Sequence, residues 1–186
     1  MTLSKAHNAS LCVELVRKGY HLDELDGVIL KLSSRWCLLA SLDSLDPDGY
    51  WIIRRDTVRH VRYRRFEAFR HRILRANGTI SKLRLPRGID IATTDSLVTS
   101  LVSQRRYAIV YRETESEWWS LHAAILGQER GGLLLHGFDG AGVFESRIRR
   151  YPVADITCIR FGGRYLREYQ SASPYDYDKP RPITVA

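Results

Sequence analysis

The chain has 186 residues, of which 44% are hydrophobic and 27% are charged, as is typical of a folded globular protein. This composition excludes global disorder. No stretch approaches the roughly 18 apolar residues that a membrane span needs. The segment 1–10 lacks the apolar centre of a secretory signal. We therefore expect a soluble, cytoplasmic protein that binds no membrane.

The net charge of +8 is concentrated in one segment of the chain. Residues 1–106 carry 19 Lys and Arg against 11 Asp and Glu, whereas residues 107–186 carry 10 of each. Within the first part, residues 54–87 hold 12 basic residues against 2 acidic ones, which gives a local charge of +10. This segment is the candidate for contact with a partner of opposite charge.

The three cysteines, Cys12, Cys37 and Cys158, are too few for a disulfide framework, and their odd number leaves at least one unpaired. Each lies in an apolar, strand-like stretch. The sequence therefore predicts buried free thiols, as expected in a reducing compartment.

In chain order, the first half of the sequence predicts five short strands, at residues 12–17, 28–32, 36–42, 50–54 and 58–61. Short polar breaks between these apolar runs, such as Ser33-Ser34-Arg35, are typical of hairpins. A helix over 64–75 follows. It places Phe66, Phe69 and Ile73 on one stripe, which we expect to pack on the strands.

Residues 77–92 lack periodicity, and a helix is predicted over 94–104 with Thr94 or Asp95 as its N-cap. The second half then follows the plan of the first, with strands predicted at 107–112, 121–126, 132–136, 143–149 and 154–159. A last helix contains Tyr165, Leu166 and Tyr169.

The two halves match without gaps at an offset of 95 residues, with nine identities between 27–66 and 122–161. Ile53-Arg54-Arg55, for example, falls on Ile148-Arg149-Arg150. Five short strands in about sixty residues are typical of a small, strongly bent barrel. We therefore predict a mainly β (α+β) fold made of two small five-stranded barrels in tandem. The predicted units are a first barrel with a basic helix (1–76), a linker containing the helix 94–104 (77–105), a second barrel (106–170) and a loosely ordered tail (171–186).

Two runs carry a resemblance to known proteins. The run Gly49-Tyr50 to Ile53-Arg54, followed by Asp56-Thr57-Val58, resembles the first module of a group of uncharacterised bacterial proteins. The run Ala154-Asp155-Ile156, followed by Phe161-Gly162-Gly163-Arg164-Tyr165, resembles their second module. The resemblance implies no activity. At the level of fold, the five-stranded unit is similar to Sm-like and other SH3-like barrels. The base-binding turn of Sm proteins is replaced here by Ser33-Ser34-Arg35 and Gln128-Glu129-Arg130, so an Sm-type ligand does not carry over.

The patterns of common catalytic and metal sites are missing from the sequence. It has no Cys-x-x-Cys or His-x-x-x-His, and the glycine-rich run 137–142 lacks the spacing and the lysine of a phosphate-binding loop. No Gly-x-Ser-x-Gly occurs. The acidic group Glu113, Glu115 and Glu117 has the alternating spacing of a solvated loop. We predict a non-enzymatic protein without metal or cofactor.

The candidate binding residues lie in the basic segment 54–75, where every charge that could hold an anion is an arginine. Guanidinium groups bind phosphate and carboxylate in a planar, bidentate manner. The candidates are Arg54, Arg55, Arg59, Arg62, Arg64, Arg65, Arg72 and Arg75. Interleaved Tyr63, Phe66 and Phe69 would suit single-stranded RNA or DNA. Alternatively, these arginines pair with the acidic loops of the other half or with a second subunit.

Trp118 and Trp119 form a second candidate surface. Adjacent residues of a strand point to opposite faces of the sheet, so one indole can pack inside while the other faces a partner. Taken together, the sequence predicts a binding protein, with a protein-interaction or scaffold role and either a protein partner or self-association. The alternative is binding of single-stranded RNA or DNA through residues 54–75.

Overall fold

The computed structural model describes residues 1–17, 19–104, 106–113 and 118–177, with Trp118 described by its backbone alone. The strands are β1 Cys12–Val16, β2 Glu24–Leu32, β3 Trp36–Asp43, β4 Asp46–Arg54, β5 His60–Arg62, β6 Tyr107–Glu113, β7 Trp118–Glu129, β8 Gly132–Phe138, β9 Phe144–Pro152 and β10 Cys158–Phe161. The helices are α1 Leu3–Asn8, α2 Arg65–Ala76, α3 Thr79–Lys82, α4 Thr94–Ser103 and α5 Arg164–Ala172. The prediction of a mainly β chain is confirmed.

The ten strands form one open antiparallel sheet in the order β5-β1-β2-β3-β4-β10-β6-β7-β8-β9. Each half contributes five neighbouring strands, with its last strand beside its first. These strand pairings do not form the predicted pair of separately closed barrels. The edge of β4 that would have to meet β5 instead pairs with β10, where Cys158 lies opposite Ile53 and Phe161 opposite Tyr50.

The strand register corrects the ungapped match between the halves. Arg54 ends β4 opposite Trp36, the first residue of β3, and Pro152 ends β9 opposite Gly132, the first residue of β8. Arg54 thus corresponds to Pro152, 98 residues later, and not to Arg149. The main cause is a longer connection, since residues 139–143 separate β8 from β9 whereas residues 44–45 separate β3 from β4.

The middle strands of the sheet are buried on both faces because successive side chains alternate between two apolar clusters. On β3, Cys37 and Leu39 belong to one cluster, and Trp36 and Leu38 to the other. The first cluster is covered by Ala6 of α1 and Leu166 of α5, and the second by Leu97, Val98 and Leu101 of α4. The predicted helix 94–104 is therefore confirmed, and it packs on the sheet.

The start of α4 is capped by Thr93, one residue before the predicted candidates. The Thr93 hydroxyl accepts a hydrogen bond from the Ser96 backbone N–H at 3.0 Å, and the Ser96 hydroxyl accepts one from the Thr93 N–H at 3.0 Å. This reciprocal pair satisfies donors that the first turn leaves free. Helix α1, which begins after Thr2, was not predicted.

The three cysteines are free and buried, as predicted. Burial raises the pKa of Cys12 to about 11 and the pKa of Cys37 and of Cys158 to about 12. Of the predicted tail, residues 171–177 are described, and Tyr175 packs with its ring centroid 5.0 Å from that of Phe144. Residues 178–186 lie outside the described chain. Within the described residues, no helix has the length and hydropathy to span a membrane.

Candidate functional site

The first two arginines of the basic segment bind acceptors within the protein. Arg54 binds the Asp56 carboxylate through Nε at 2.7 Å and donates from Nη1 to the Ala154 carbonyl at 2.7 Å. Arg55 donates to the Ser33 carbonyl in the turn between β2 and β3. These contacts join the end of β4 to neighbouring turns, so both side chains have a structural role.

Arg62 and Arg70 are bound by acidic side chains of β1 and β2. Arg62 lies 2.6 Å from the Glu14 carboxylate and 2.5 Å from that of Glu24. Hydrogen bonds to Glu24 and Glu14 raise the pKa of Arg62. Arg70 binds Asp26 at 2.8 Å. The predicted pairing of arginines with acidic residues thus occurs, but within the first half of the chain.

Helix α2 is anchored through polar side chains. Glu67 is buried, and its carboxylate accepts a hydrogen bond from the Arg64 backbone N–H at 2.5 Å, which caps the helix start. Arg70 is also buried and donates to the Ser44 carbonyl at 3.1 Å. Leu74 is fully buried in a small apolar cluster with Cys12 and residues of β2 and β3.

These anchors turn the predicted apolar stripe of α2 outward. Phe66 is 63% exposed and Phe69 is 52% exposed, so the prediction that these rings pack on the strands is wrong. The physical reason is that Glu67, Arg70 and Leu74 occupy the side of the helix that faces the sheet. The prediction used hydropathy alone and therefore placed the aromatic residues on the side of the helix that faces the sheet.

The α2 outer face is made of Arg65, Phe66, Phe69 and Arg72, which line one shallow depression of about 540 Å³. Phe69 follows Arg65 by four residues and Phe66 by three, and Arg72 follows Phe69 by three, which places these side chains on neighbouring turns of one helix side. The guanidinium of Arg72 lies 5.8 Å from the ring centre of Phe69, and that of Arg70 lies 5.6 Å from that of Phe66. The structure therefore brings Arg65 and Arg72 together with two exposed aromatic rings.

Arg59, Arg64 and Arg75 are also exposed. Among the residues that the structure describes, none of the three has a carboxylate within ion-pair distance. Arg59 borders a separate depression near Thr2 and Leu3. The eight candidate arginines are thus divided: three are bound within the protein, and five remain accessible.

Trp119 is half-buried on β7, and its ring centroid lies 4.8 Å from that of Tyr151 on β9. Trp118 begins β7, opposite Glu113. The side chain of Trp118 lies outside the described residues, so its predicted role as an interaction residue stays a prediction. Trp119 packs on a ring of its own sheet.

A buried polar network crosses between the halves, and the sequence patterns did not indicate it. Arg17 and Glu113 form an ion pair at 2.6 Å, and both side chains are 0% exposed. Glu113 also accepts a hydrogen bond from the Thr157 hydroxyl at 2.5 Å and one from the Leu22 N–H at 3.1 Å. Arg17 Nε donates to the Thr57 hydroxyl at 3.1 Å.

Glu113 was predicted to lie in a solvated acidic loop, and that prediction is wrong. Its position at the end of an apolar strand, as the last residue of β6, was the available signal. Charged residues are almost never fully buried unless they are paired. The partner Arg17 lies 96 residues earlier in the chain, so no local pattern could identify the pair.

Among the residues that the structure describes, the histidines do not assemble a metal site with other ligands. His122 packs on the rings of Phe138 and Tyr165, at centroid distances of 5.8 and 5.6 Å. His136 is buried, with Nε2 2.6 Å from the Glu145 carbonyl oxygen. In the described part of the chain, no group of three or more His, Cys, Asp or Glu side chains could hold a metal ion.

Comparisons of the chain with protein-family models, with curated proteins and with solved structures found no match. The resemblance to two-module bacterial proteins and to Sm-like barrels therefore stays a prediction.

Proposed function

We propose that this is a non-enzymatic binding protein and that the α2 outer face binds an acidic, partly apolar segment of a protein partner. The observation that supports this proposal is the pair of exposed rings, Phe66 and Phe69, between the exposed arginines Arg65 and Arg72. Aromatic and arginine side chains are enriched where proteins bind one another. Their cationic surroundings favour a partner with Asp or Glu beside its apolar residues.

The anchoring of α2 supports a preformed binding surface. Arg70 is held by Asp26 at 2.8 Å, and Leu74 and Glu67 are buried beneath the helix. A surface that is already ordered loses less conformational entropy on binding, which leaves more of the contact energy for affinity. The α2 outer face therefore suits a scaffold or adaptor role.

One observation favours a protein partner over single-stranded nucleic acid. Arg54, Arg55 and Arg62 are bound to acceptors within the protein. Fewer arginines are thus available for phosphates than the local charge of the sequence indicated.

We also propose that the two halves are copies of one five-stranded unit of the SH3-like or Sm-like kind. In support, both halves have the same strand order. Both carry a register shift between their second and third strands, and a short 3-10 turn follows the fourth strand of each, at Arg55–Thr57 and at Val153–Asp155. The free buried thiols support a reducing, cytoplasmic location.

The test uses random twelve-residue peptides displayed on phage, selected on the purified full chain, with the selected peptides then measured by fluorescence anisotropy. We expect selected peptides to combine acidic and apolar residues. Phe66→Ser with Phe69→Ser, and separately Arg65→Glu with Arg72→Glu, should each weaken binding by at least about tenfold, the size of effect seen at interface hot spots.

The matched controls are exposed residues elsewhere on the protein. Val143→Ser removes an apolar side chain that is 63% exposed, like Phe66, and Arg130→Glu reverses a guanidinium that is 86% exposed. Both should leave peptide affinity unchanged. Selected peptides that bind the α2 variants as tightly as the parent protein would overturn the proposal.

Two rival partners are tested in the same series. Labelled twenty-nucleotide RNA and DNA are titrated at several salt concentrations, because phosphate binding weakens steeply with salt. Steeply salt-dependent oligonucleotide binding that is lost in the Arg65→Glu, Arg72→Glu variant would replace the protein partner by nucleic acid. Sedimentation velocity identifies a second copy of the chain as the partner if a dimer dissociates on the Phe66→Ser, Phe69→Ser change.

A further inference from the structure

A separate cavity of about 350 Å³ lies at the junction of the two halves, away from α2. It is bordered by Tyr50 of β4, by Arg106 just before β6, by Gly162 after β10, and by one side of α5 that carries Leu166, Arg167 and Gln170. Cavities of this size are typical of small-molecule sites. The cavity depends on both halves, because Tyr50 and Gly162 meet through the pairing of β4 with β10.

Arg106 is the unusual residue of this cavity. Its Nε is buried and has no hydrogen-bond partner within the described chain. Nη2 donates to the Arg87 carbonyl and to Gln104 Oε1, both at 3.2 Å. Neither acceptor carries a charge. Among the described residues no carboxylate forms an ion pair with this guanidinium.

An unneutralised, partly buried cation is costly, since burial disfavours its charged form. Burial accordingly lowers the pKa of Arg106. The guanidinium nevertheless stays protonated at neutral pH. Its Cζ lies 5.3 Å from the ring centre of Phe161, which holds the side chain in place. Nη1 forms no hydrogen bond with the described residues and lies on the Gly162 side of the cavity. Such a group is prepared to receive an anion.

A second guanidinium borders the same space. Arg167 donates from Nη1 to the Gly162 carbonyl and is exposed. Gln170 lies three residues later on α5, and this spacing places its amide on the same side of the helix. Leu166, on the inner side of α5, is 3% exposed and gives the cavity an apolar wall. Two cationic groups beside an apolar wall suit an organic ligand with about two negative charges.

We infer that this cavity binds a small phosphate monoester, with its phosphate on Arg106 and Arg167 and its organic part against Leu166. A phosphate monoester carries about −1.5 to −2 charges at neutral pH, which matches two guanidinium groups better than a single carboxylate does. Nη1 of Arg106 and the guanidinium of Arg167 supply N–H donors for its oxygens. The ester can come from a sugar phosphate or from a nucleotide, and the experiment separates the two.

The experiment follows amide chemical shifts of the ¹⁵N-labelled full chain during titration with inorganic phosphate, ribose 5-phosphate and AMP. We expect shifts at Gly162, Arg167 and Gln170, with the esters binding more tightly than inorganic phosphate. Tighter binding of ribose 5-phosphate than of AMP would assign a sugar phosphate, and the reverse order would assign a nucleotide. Acetate and succinate are titrated in parallel.

Arg106→Met, which keeps an unbranched apolar stem but removes the guanidinium and its charge, should weaken ester binding by at least about tenfold, because the donors to the phosphate are lost. Arg167→Gln should also weaken ester binding. Because Arg167 lies on the protein surface, this variant should fold, and it tests the inference even if Arg106→Met does not fold. Arg147→Gln removes an exposed arginine of β9 and should have no effect.

Three results would overturn the inference, and the third concerns succinate. One is an absence of shifts at the cavity with all three phosphate compounds at millimolar concentration. Another is ester binding that is insensitive to Arg167→Gln. Succinate binding as tight as that of the esters would reassign the cavity to carboxylates and equally reject the phosphate class. None of these results bears on the α2 outer face, which is measured with peptides and with different variants.

Discussion

The buried pair of Arg17 and Glu113 offers the sharpest test of how the two halves are held together. Glu113→Gln removes the negative charge but keeps the shape of the side chain and one acceptor oxygen. Arg17→Met removes the positive charge. Each single change leaves one charged group in a site where both side chains are 0% exposed.

The expected magnitude comes from that burial. Removing one partner of a buried ion pair costs about 3–5 kcal/mol, because the remaining charge keeps its desolvation penalty without its counter-ion. Glu113 additionally accepts from Thr157 and from the Leu22 N–H, and the amide introduced by Glu113→Gln offers these donors only one acceptor oxygen. The free energy of unfolding of a typical domain is about 5–15 kcal/mol. Each single variant should therefore lose a large part of the stability.

The assay is urea unfolding followed by tryptophan fluorescence, since the unfolding free energy falls linearly with urea concentration. The double variant, Arg17→Met with Glu113→Gln, buries no charge. It should be more stable than the sum of the single losses predicts, by about 1–3 kcal/mol of coupling energy. Asp155→Asn is the control, because its partner Arg112 is 3.9 Å away and both side chains are exposed. It should cost less than about 1 kcal/mol.

Losses below about 1 kcal/mol in both single variants would refute the reasoning. So would a double variant whose loss equals the sum of the single losses, because the two charges would then not interact.

Two further predictions concern packing. Gly49→Ala should lower the unfolding free energy by about 3 kcal/mol or more, because φ at Gly49 is +81° and a Cβ there would lie 2.5 Å from the Phe161 carbonyl oxygen. The control Gly131→Ala, with φ of +73° and no atom within 4 Å of its Cβ, should lower it by only about 1–2 kcal/mol. Equal losses of the two variants in urea unfolding would show that the close approach of β4 and β10 does not matter. Burial raises the pKa of Cys37 and of Cys158 to about 12. The buried thiols should therefore not react with Ellman's reagent at pH 8 in the folded protein, but they should react fully in urea. Rapid reaction before unfolding would contradict their burial.

Local patterns were sufficient where one element decides its own structure. The apolar run at Trp36–Asp43 became β3, and the 3.6-residue period at 94–104 became α4. In both, the side chains that the pattern marks as apolar are buried, including Trp36, Leu97 and Leu101. Polar breaks such as Ser33-Ser34-Arg35 correctly marked a hairpin, because a turn is specified by the few residues within it.

The candidate site was only partly predictable. The concentration of arginines at 54–75 was visible in the sequence, but which of them remain accessible was not. Arg62 is occupied by Glu14, 48 residues away, whereas Arg65 is free to meet a partner. Ion pairs over such separations depend on strand pairing, which local composition does not encode.

By itself, the sequence determined the β-rich class, most strand positions, the α4 helix and the buried free thiols, because hydropathy period and turn chemistry act over a few neighbouring residues. Only the tertiary structure decided that β4 pairs with β10 in one open sheet and that Arg17 meets Glu113 across the halves. It also decided that Phe66 and Phe69 face outward. Each of these depends on contacts between residues far apart in the chain, and such contacts arise only when the whole sheet has formed.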